Sequence, residues 1–315
     1  MVTLLLLVLY FKNIRKAVIK NIILIHEGKA HYPELNAYEE YFKSLYPIKI
    51  LHKDELDEGA DFSQSVLWYV MGFYPKKIDA GFIIHDYRSL SVGKLGWLKD
   101  RLKRFFNHQP NLRMYHDKPT QEIMGFRDGV DSRLLLLGIP ESIVEFKKQP
   151  KQYDYDFCYI GAISNGRNSA KMIQNFIDTY GKSKRFVLVG AVDDGIKGQF
   201  KLYKNIIFKG KLHQREVFSI VQKSEFAISF VPACKPYDYH VPAKLLEYAA
   251  LGKKILVNNS LSNLNTVRNL NINVCVSKGY EFPENDKLQT AQDNMEFDAT
   301  DLFWSNRIKI SDVEA

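Results

Sequence analysis

From Val18 onward, short β-rich runs alternate with longer helical patterns, and this alternation is played through twice. Such a chain builds parallel sheets covered by helices, because strand-to-strand crossovers need a helix's length of chain. In the first half the strand candidates are residues 21–25, 48–51, 66–70, 81–85, 112–115 and 133–137, with helical stretches at 37–45 and 94–106. A charged stretch between Pro140 and Asp156, with Pro150 near its middle and without a period of 2 or 3.6, reads as a linker. The alternation then restarts with strands at 157–160, 185–189, 205–209, 226–230, 254–257 and 274–276, and helices at 169–180, 214–223 and 243–251. No sequence repeat joins the halves. The expected boundaries are an N-terminal extension 1–17, a first Rossmann-like domain 18–145, a linker 146–156, a second domain 157–295 and a tail 296–315.

A chain of 315 residues can bury two ordinary cores. Its 46% hydrophobic and 25% charged composition excludes wholesale disorder. Cys158, Cys234 and Cys275 are odd in number and far apart, which argues against a disulfide framework or zinc site and predicts buried thiols of a reducing cytoplasm. A net charge of +8 favours anionic partners. No nucleic-acid-binding signature accompanies it, so none is expected as partner, although a basic nucleic-acid binder stays as a rival reading. The apolar run Thr3–Phe11 is about half a membrane span, and its positive charges follow it, unlike a signal peptide. It reads as an extension or a shallow anchor.

The most informative segment is VPACKPYDYHVPAKLLEYAALGKKILVN, residues 231–258. Pro242 can open a helix, and Gly252 can close it. Leu245, Leu246, Ala249 and Ala250 would face a sheet, while Lys244 and Glu247, three apart, share a neighbouring face. A helix beginning at a strand's carboxyl end aims free backbone N–H groups at a diphosphate, and a carboxylate one turn in can accept from two ribose hydroxyls. An ordinary capped helix with a surface Lys/Glu pair fits the spacing at least as well.

The run PAKLLEYAALGKKILVN resembles the donor-binding helix and following strand of retaining glycosyltransferases of the glycosyltransferase-B fold, a group that includes bacterial capsule and lipopolysaccharide sugar transferases. The stretches NIIFKGKLHQREVFSIVQKSEFAISFVP, FCYIGAISNGRNSAKMIQNFID and RFVLVGAVDD extend the likeness over about half the chain. The resemblance implies two Rossmann-like α/β domains facing each other across a cleft. It implies a ribose-binding Glu247, diphosphate held near Val241, Pro242, Ala243 and Lys244, and a base bordered by Gly210 to Leu212. Two departures stand out. The carboxylate expected eight residues before Glu247 is replaced by Tyr239, with Asp238 beside it. Ala162 follows Gly161 where the pattern often has Arg, so diphosphate contact passes to Arg167, with Lys171 second.

In the first half, His26, Glu27 and Gly28 follow one strand, and His85, Asp86, Tyr87 and Arg88 end another. His85 resembles the strand-end histidine that such transferases place beside the transferred sugar. Asp86 or Glu27 could serve as base for an inverting reaction. His26, Gly28, Tyr87 and Arg88 are the acceptor-side candidates, and each histidine fits a structural hydrogen-bonding role as well.

In GKLGWLKDRLKRFFN, Leu95, Leu98, Leu102, Phe105 and Phe106 fall on one helical face and Lys99, Arg101, Lys103 and Arg104 cover the rest. The favoured expectation is that the apolar face packs on the domain, with contact to an anionic membrane as the alternative. Asp154-Tyr155-Asp156 matches a metal-binding pattern of another transferase fold, but it precedes a strand and reads as coincidence. No Walker A loop or complete dinucleotide-binding glycine turn is present. The stretch 281–293 is polar and reads as a mobile loop.

These observations predict a cytoplasmic transferase, at the inner membrane face in one version, with no metal and no cofactor besides its UDP- or GDP-sugar co-substrate. As the resemblance implies, it would pass a sugar with retention to a glycan or lipid-linked acceptor in bacterial surface polysaccharide synthesis. The rival from another class is a catalytically inactive binding or scaffold protein of the same fold.

Overall fold

The computed structural model describes residues 19–313 apart from 29–31, 71, 94, 149, 151 and 236. The extension read over 1–17 lies outside the described residues. The chain divides into a unit running to Leu136, joined by the stretch from Ile308 onward, and a unit Leu137–Arg307.

The first unit is a six-stranded sheet of β1 (Asn21–His26), β2 (Ile48–His52), β3 (Phe62–Val70), β4 (Ala80–Tyr87), β5 (Leu112–Tyr115) and β6 (Asp131–Leu134), in the order β2-β1-β3-β4-β5-β6. Every neighbouring pair is parallel. Its helices are α1 (Pro33–Phe42), α2 (Gly96–Phe106) and α3 (Lys118–Met124). Adjacent residues Leu24 and Ile25 of β1 are both fully buried, as a parallel strand covered on two faces requires.

The second unit repeats the plan with β7 (Tyr155–Ile160), β8 (Phe186–Val189), β9 (Ile206–Gly210), β10 (Ser224–Ser229), β11 (Lys254–Asn258) and β12 (Cys275–Ser277), ordered β12-β11-β10-β7-β8-β9 and parallel throughout. Its helices are α4 (Ser169–Tyr180), α5 (Asp194–Gln199), α6 (Gln214–Gln222), α7 (Ala243–Ala250), α8 (Leu261–Leu270) and α9 (Asn285–Gln289), while α10 (Trp304–Val313) runs on into the stretch grouped with the first unit.

Strand alternation sorts the core of the second unit into two layers. Phe157, Tyr159, Phe186, Leu188, Phe226 and Ile228 pack with Phe176 of α4. Cys158, Val187, Val189, Ala227, Ile255 and Val257 pack with Leu245, Leu246 and Ala249 of α7. The helix face expected to bury apolar residues therefore does so.

Three expectations need correction. The charged stretch after Pro140 folds in part as a 3-10 helix, Glu141–Phe146, whose Ile143 is fully buried in the second unit. The polar stretch 281–293 contains α9 and is pinned by Phe282 and Leu288, both inside the core. Cys234 is exposed, whereas Cys158 and Cys275 are buried. The Asp154 and Asp156 carboxylates, at the amino end of β7, face Lys223 at 3.6 Å and Lys184 at 3.1 Å. No helix among the described residues is long and apolar enough to cross a membrane.

Candidate functional site

In the second unit the strand order runs β7, β8, β9 to one side and β10, β11, β12 to the other. The reversal falls between β7 and β10, and the crevice at the carboxyl ends of such a pair is where open α/β sheets receive ligands. The segments that leave these two strands are those flagged in the sequence, 161–171 and 230–247.

Backbone contacts shape this end of the sheet. Gly161 leaves β7 at φ +132° and Gly190 leaves β8 at φ +142°, both in a region that favours glycine. A Cβ on Gly190 would lie 2.0 Å from the Gly161 carbonyl oxygen, so the two turns touch main chain to main chain. Gly161 N donates to Val189 O at 2.9 Å, and Gly190 N to Gly210 O at 2.8 Å, which ties the ends of β7, β8 and β9 into one shelf. Beside it lies a cavity of about 370 Å³ whose lining includes Gly190, Val192, Phe208, Lys209 and Gly210.

At the switch point the cations converge. Lys244, in the first turn of α7, donates to Phe230 O at 3.3 Å and lies 3.8 Å from the centre of the Tyr159 ring. Burial, reinforced by the nearby Arg167 charge, holds its amine well below the usual range. Arg167 closes the 3-10 turn Asn165–Arg167, its guanidinium 5.2 Å from the Tyr237 ring, and it hydrogen-bonds the Tyr159 hydroxyl. Among the described residues no side chain caps the first turn of α7, so its N-terminal dipole adds to the positive field of Arg167 and Lys244. The sequence reading did not find Tyr159 and Tyr237. Tyr159 reads as an ordinary strand residue, and only the fold shows that the two cations meet beside its ring.

One turn further along α7, Glu247 is half-buried rather than facing bulk water. Burial pushes its carboxyl up to about 7, against the opposing effect of a hydrogen bond from Gln214 at the start of α6. That contact sets the carboxyl beside the helix that follows Gly210, Lys211 and Leu212. Leu212, Val241 and Pro242 are half-buried, and Ala243 is exposed. Lys171 is exposed on α4 and makes no contact with the cation cluster among those described. The displaced carboxylate Asp238 accepts from Leu261 N at 3.2 Å, at the start of α8, and Tyr239 is exposed.

In the first unit the candidate residues are placed separately. His85 is buried, and its Nε2 lies 3.2 Å from Nε2 of His108, whose Nδ1 lies 2.9 Å from Tyr74 O. If His108 donates to that carbonyl, His85 must donate to His108, and His85 Nδ1 becomes an acceptor; it is buried, with no hydrogen-bond partner among the described residues. Burial and the neighbouring His108 hold His85 far below its ordinary pKa, so it is a neutral ring at physiological pH.

The two carboxylates read as bases have other work. Asp86 points the opposite way along β4, accepting from Tyr38 at 2.6 Å and Trp68 at 3.3 Å and facing Arg88 at 3.6 Å. Arg88 also meets Glu34 at 3.7 Å and donates to Leu135 O at 2.6 Å. Arg88 is therefore buried in an ion network with Asp86 and Glu34 and not an exposed acceptor-side cation. Glu27 accepts from Phe73 N at 3.0 Å and pairs with Lys53 at 3.5 Å, bridging the ends of β1 and β3. Gly28, at φ +68°, donates to His26 Nδ1 at 3.0 Å. Tyr87 stacks on Tyr115 at 5.6 Å and accepts from Asn107.

The two sheets, each parallel and helix-covered, define the glycosyltransferase-B class of fold. Solved structures of that fold resemble the chain over nearly its whole length. HepE of Anabaena in complex with UDP and glucose matches at 10% identity, covering 94% of this chain and 100% of its own, with a TM-score of 0.66. The lipopolysaccharide outer core galactosyltransferase WaaB matches at 12% identity over 93% and 99%, with a TM-score of 0.51. A UDP-GlcNAc 2-epimerase of Methanocaldococcus jannaschii matches at 9% identity over 93% and 99%, also at 0.51. No family model and no curated protein matches the sequence.

Proposed function

We propose that the chain is a nucleotide-sugar-dependent glycosyltransferase, with the second unit holding the donor. The supporting observation is the grouping of Arg167, Lys244 and an uncapped helix N-terminus at the strand-order switch, with Glu247 one turn on. Arg167 and Lys244 would neutralise the diphosphate and stabilise the charge that develops on it as the glycosidic bond breaks. The Glu247 carboxylate would accept from the ribose hydroxyls, and the cavity beside Gly210 would take the base. A UDP- or GDP-sugar is the donor we expect, without a metal, because protein cations can supply the neutralising charge. His85 is a neutral ring whose Nδ1 is shut away from solvent, so it would meet a sugar hydroxyl only after a rearrangement within the first unit. With Asp86 and Glu27 committed to protein partners, retention is the favoured stereochemical course. The proposed acceptor is a glycan or lipid-linked saccharide of the bacterial surface, capsule or lipopolysaccharide, handled at the cytoplasmic face of the membrane.

Calorimetric titration with UDP and GDP tests this reading. One of them binds the wild type, and Arg167→Ala and Glu247→Ala weaken it at least tenfold; absence of binding, or unchanged binding in both variants, refutes the donor site. A second reading has its own support. With Tyr239 in place of a first carboxylate and Asp238 engaged at α8, the chain could bind a nucleotide sugar without transferring it. Release of nucleoside diphosphate from a UDP- or GDP-sugar with crude lipid acceptor excludes that reading, and a C2-epimerised sugar nucleotide would point instead to the chemistry of the epimerase relative.

A further inference from the structure

Helix α2 is amphipathic in reverse. The residues it turns inward are Gly96 and Asp100, with Lys103 close by. Asp100 accepts from Ser91 N at 3.0 and 3.1 Å and faces Lys103 at 3.7 Å, and Lys103 donates to Ser91 Oγ at 3.0 Å. A Cβ on Gly96 would lie 2.3 Å from the Ser91 carbonyl oxygen, so the chain fits here only with glycine inward. These contacts fix the helix's rotation. The expected packing of its apolar face on the domain is therefore met only at Leu98, which is half-buried: Leu95 is 57% exposed, Phe105 62%, Phe106 57% and Leu102 42%, and Trp97, outside that face, is 64% exposed. Val92 and Leu95 extend the same exposure before the helix begins.

The charge pattern indicates what this face meets. Asp100 is the only acid in α2, and it is buried against Lys103. Lys99 and Arg101 are exposed, and Arg104 is half-buried. The guanidinium groups of Arg101 and Arg104 lie 5.7 and 5.0 Å from the Phe105 ring, which sets cations beside the apolar ridge. A second copy of the chain would bring two such cationic faces together, an unfavourable pairing. An aromatic and leucine ridge edged by cations matches the boundary between acyl chains and anionic headgroups.

We infer that α2 is an interfacial helix that lies on an anionic lipid bilayer, with Leu102, Phe105 and Phe106 entering the headgroup boundary, Trp97 at the helix's flank, and Lys99, Arg101 and Arg104 meeting lipid phosphates. The inference rests on the first unit alone and stands whether or not the chain transfers sugar. Trp68 and Trp304 are buried, so Trp97 is the indole that a surface contact reports.

The experiment mixes the full chain with vesicles of phosphatidylcholine alone or with about 30% phosphatidylglycerol. Tryptophan emission and flotation are followed, and nucleotide titration and thermal melting serve as controls for folding. Phosphatidylglycerol vesicles shift the emission to the blue and float the protein; zwitterionic vesicles do neither. Phe105→Ser with Phe106→Ser lowers partitioning at least tenfold, and Lys99→Glu with Arg101→Glu does the same without touching the ridge. Flotation unchanged in both pairs overturns the inference, as does a spectral shift caused by random oligonucleotides and not by vesicles. So does a dimer in light scattering that the serine pair dissociates.

Discussion

Lys244 and Glu247 stand one helical turn apart on α7, and burial moves their proton affinities toward each other, the carboxyl up to about 7 and the amine well below its usual range. Both groups are thus poised to change protonation when a charged ligand arrives. A ribose donating hydroxyls favours the ionised carboxylate, and a diphosphate favours the ammonium.

The first prediction concerns pH. Nucleoside diphosphate affinity rises as pH climbs through about 7, where Glu247 ionises, and falls again where Lys244 loses its proton. Glu247→Gln flattens the acidic limb, and Lys244→Arg removes the alkaline one. Calorimetry from pH 5.5 to 9.5 checks both. The sign for folding is opposite: a carboxyl raised from 4.5 to about 7 favours the fold below 4.5, and that contribution is lost as pH rises through this window.

Diphosphate recognition should divide between the two cations. Arg167→Ala and Lys244→Met each weaken UDP or GDP binding by about ten- to a hundredfold, the range for loss of a charge-assisted hydrogen bond. They weaken the matching nucleoside much less. Competition titration with nucleoside, monophosphate and diphosphate measures the difference.

Gly190→Ala should damage the fold itself. Its Cβ would meet the Gly161 carbonyl at 2.0 Å, and its φ of +142° is strained for any other residue. The expected loss is about 3 kcal/mol or more. Gly279→Ala, at φ +56° with open space around it, should cost only about 1 kcal/mol. Urea denaturation of the two variants compares them.

Arg88→Met should destabilise the first unit by about 3 to 5 kcal/mol, because it leaves Asp86 and Glu34 buried without their cation. Nucleoside diphosphate affinity should not change in the folded fraction. A thermal melt beside the titration separates the two effects, and a stable variant would show that the network is dispensable.

The fold was legible because period and punctuation agree. The apolar runs of β7, β8 and β11 and the Pro242-to-Gly252 helix each carry a local signal, and α4 and β5 fall where the pattern puts them. The segments leaving β7 and β10 were legible for the same reason, and the residues proposed to hold the donor lie in them. The first-unit site was harder to read. Asp86 and His85 are neighbours in sequence but face opposite sides of β4, and nothing local says that Arg88 will turn to Asp86 or that His108 will meet His85 from a distant loop. The rotation of α2 was misread because hydrophobic periodicity identifies a face without saying which way it points. Gly96 and the Ser91 turn decide that.

The Gly161–Gly190 contact has a further consequence. Bond lengths and carbonyl radii, not interdigitated side chains, set the spacing of the two turns. Replacement of the surrounding residues need not loosen it. If the proposed donor site holds a base here, Lys209, Lys211 or Leu212 could therefore be exchanged to suit a different one while the floor beneath keeps its dimensions.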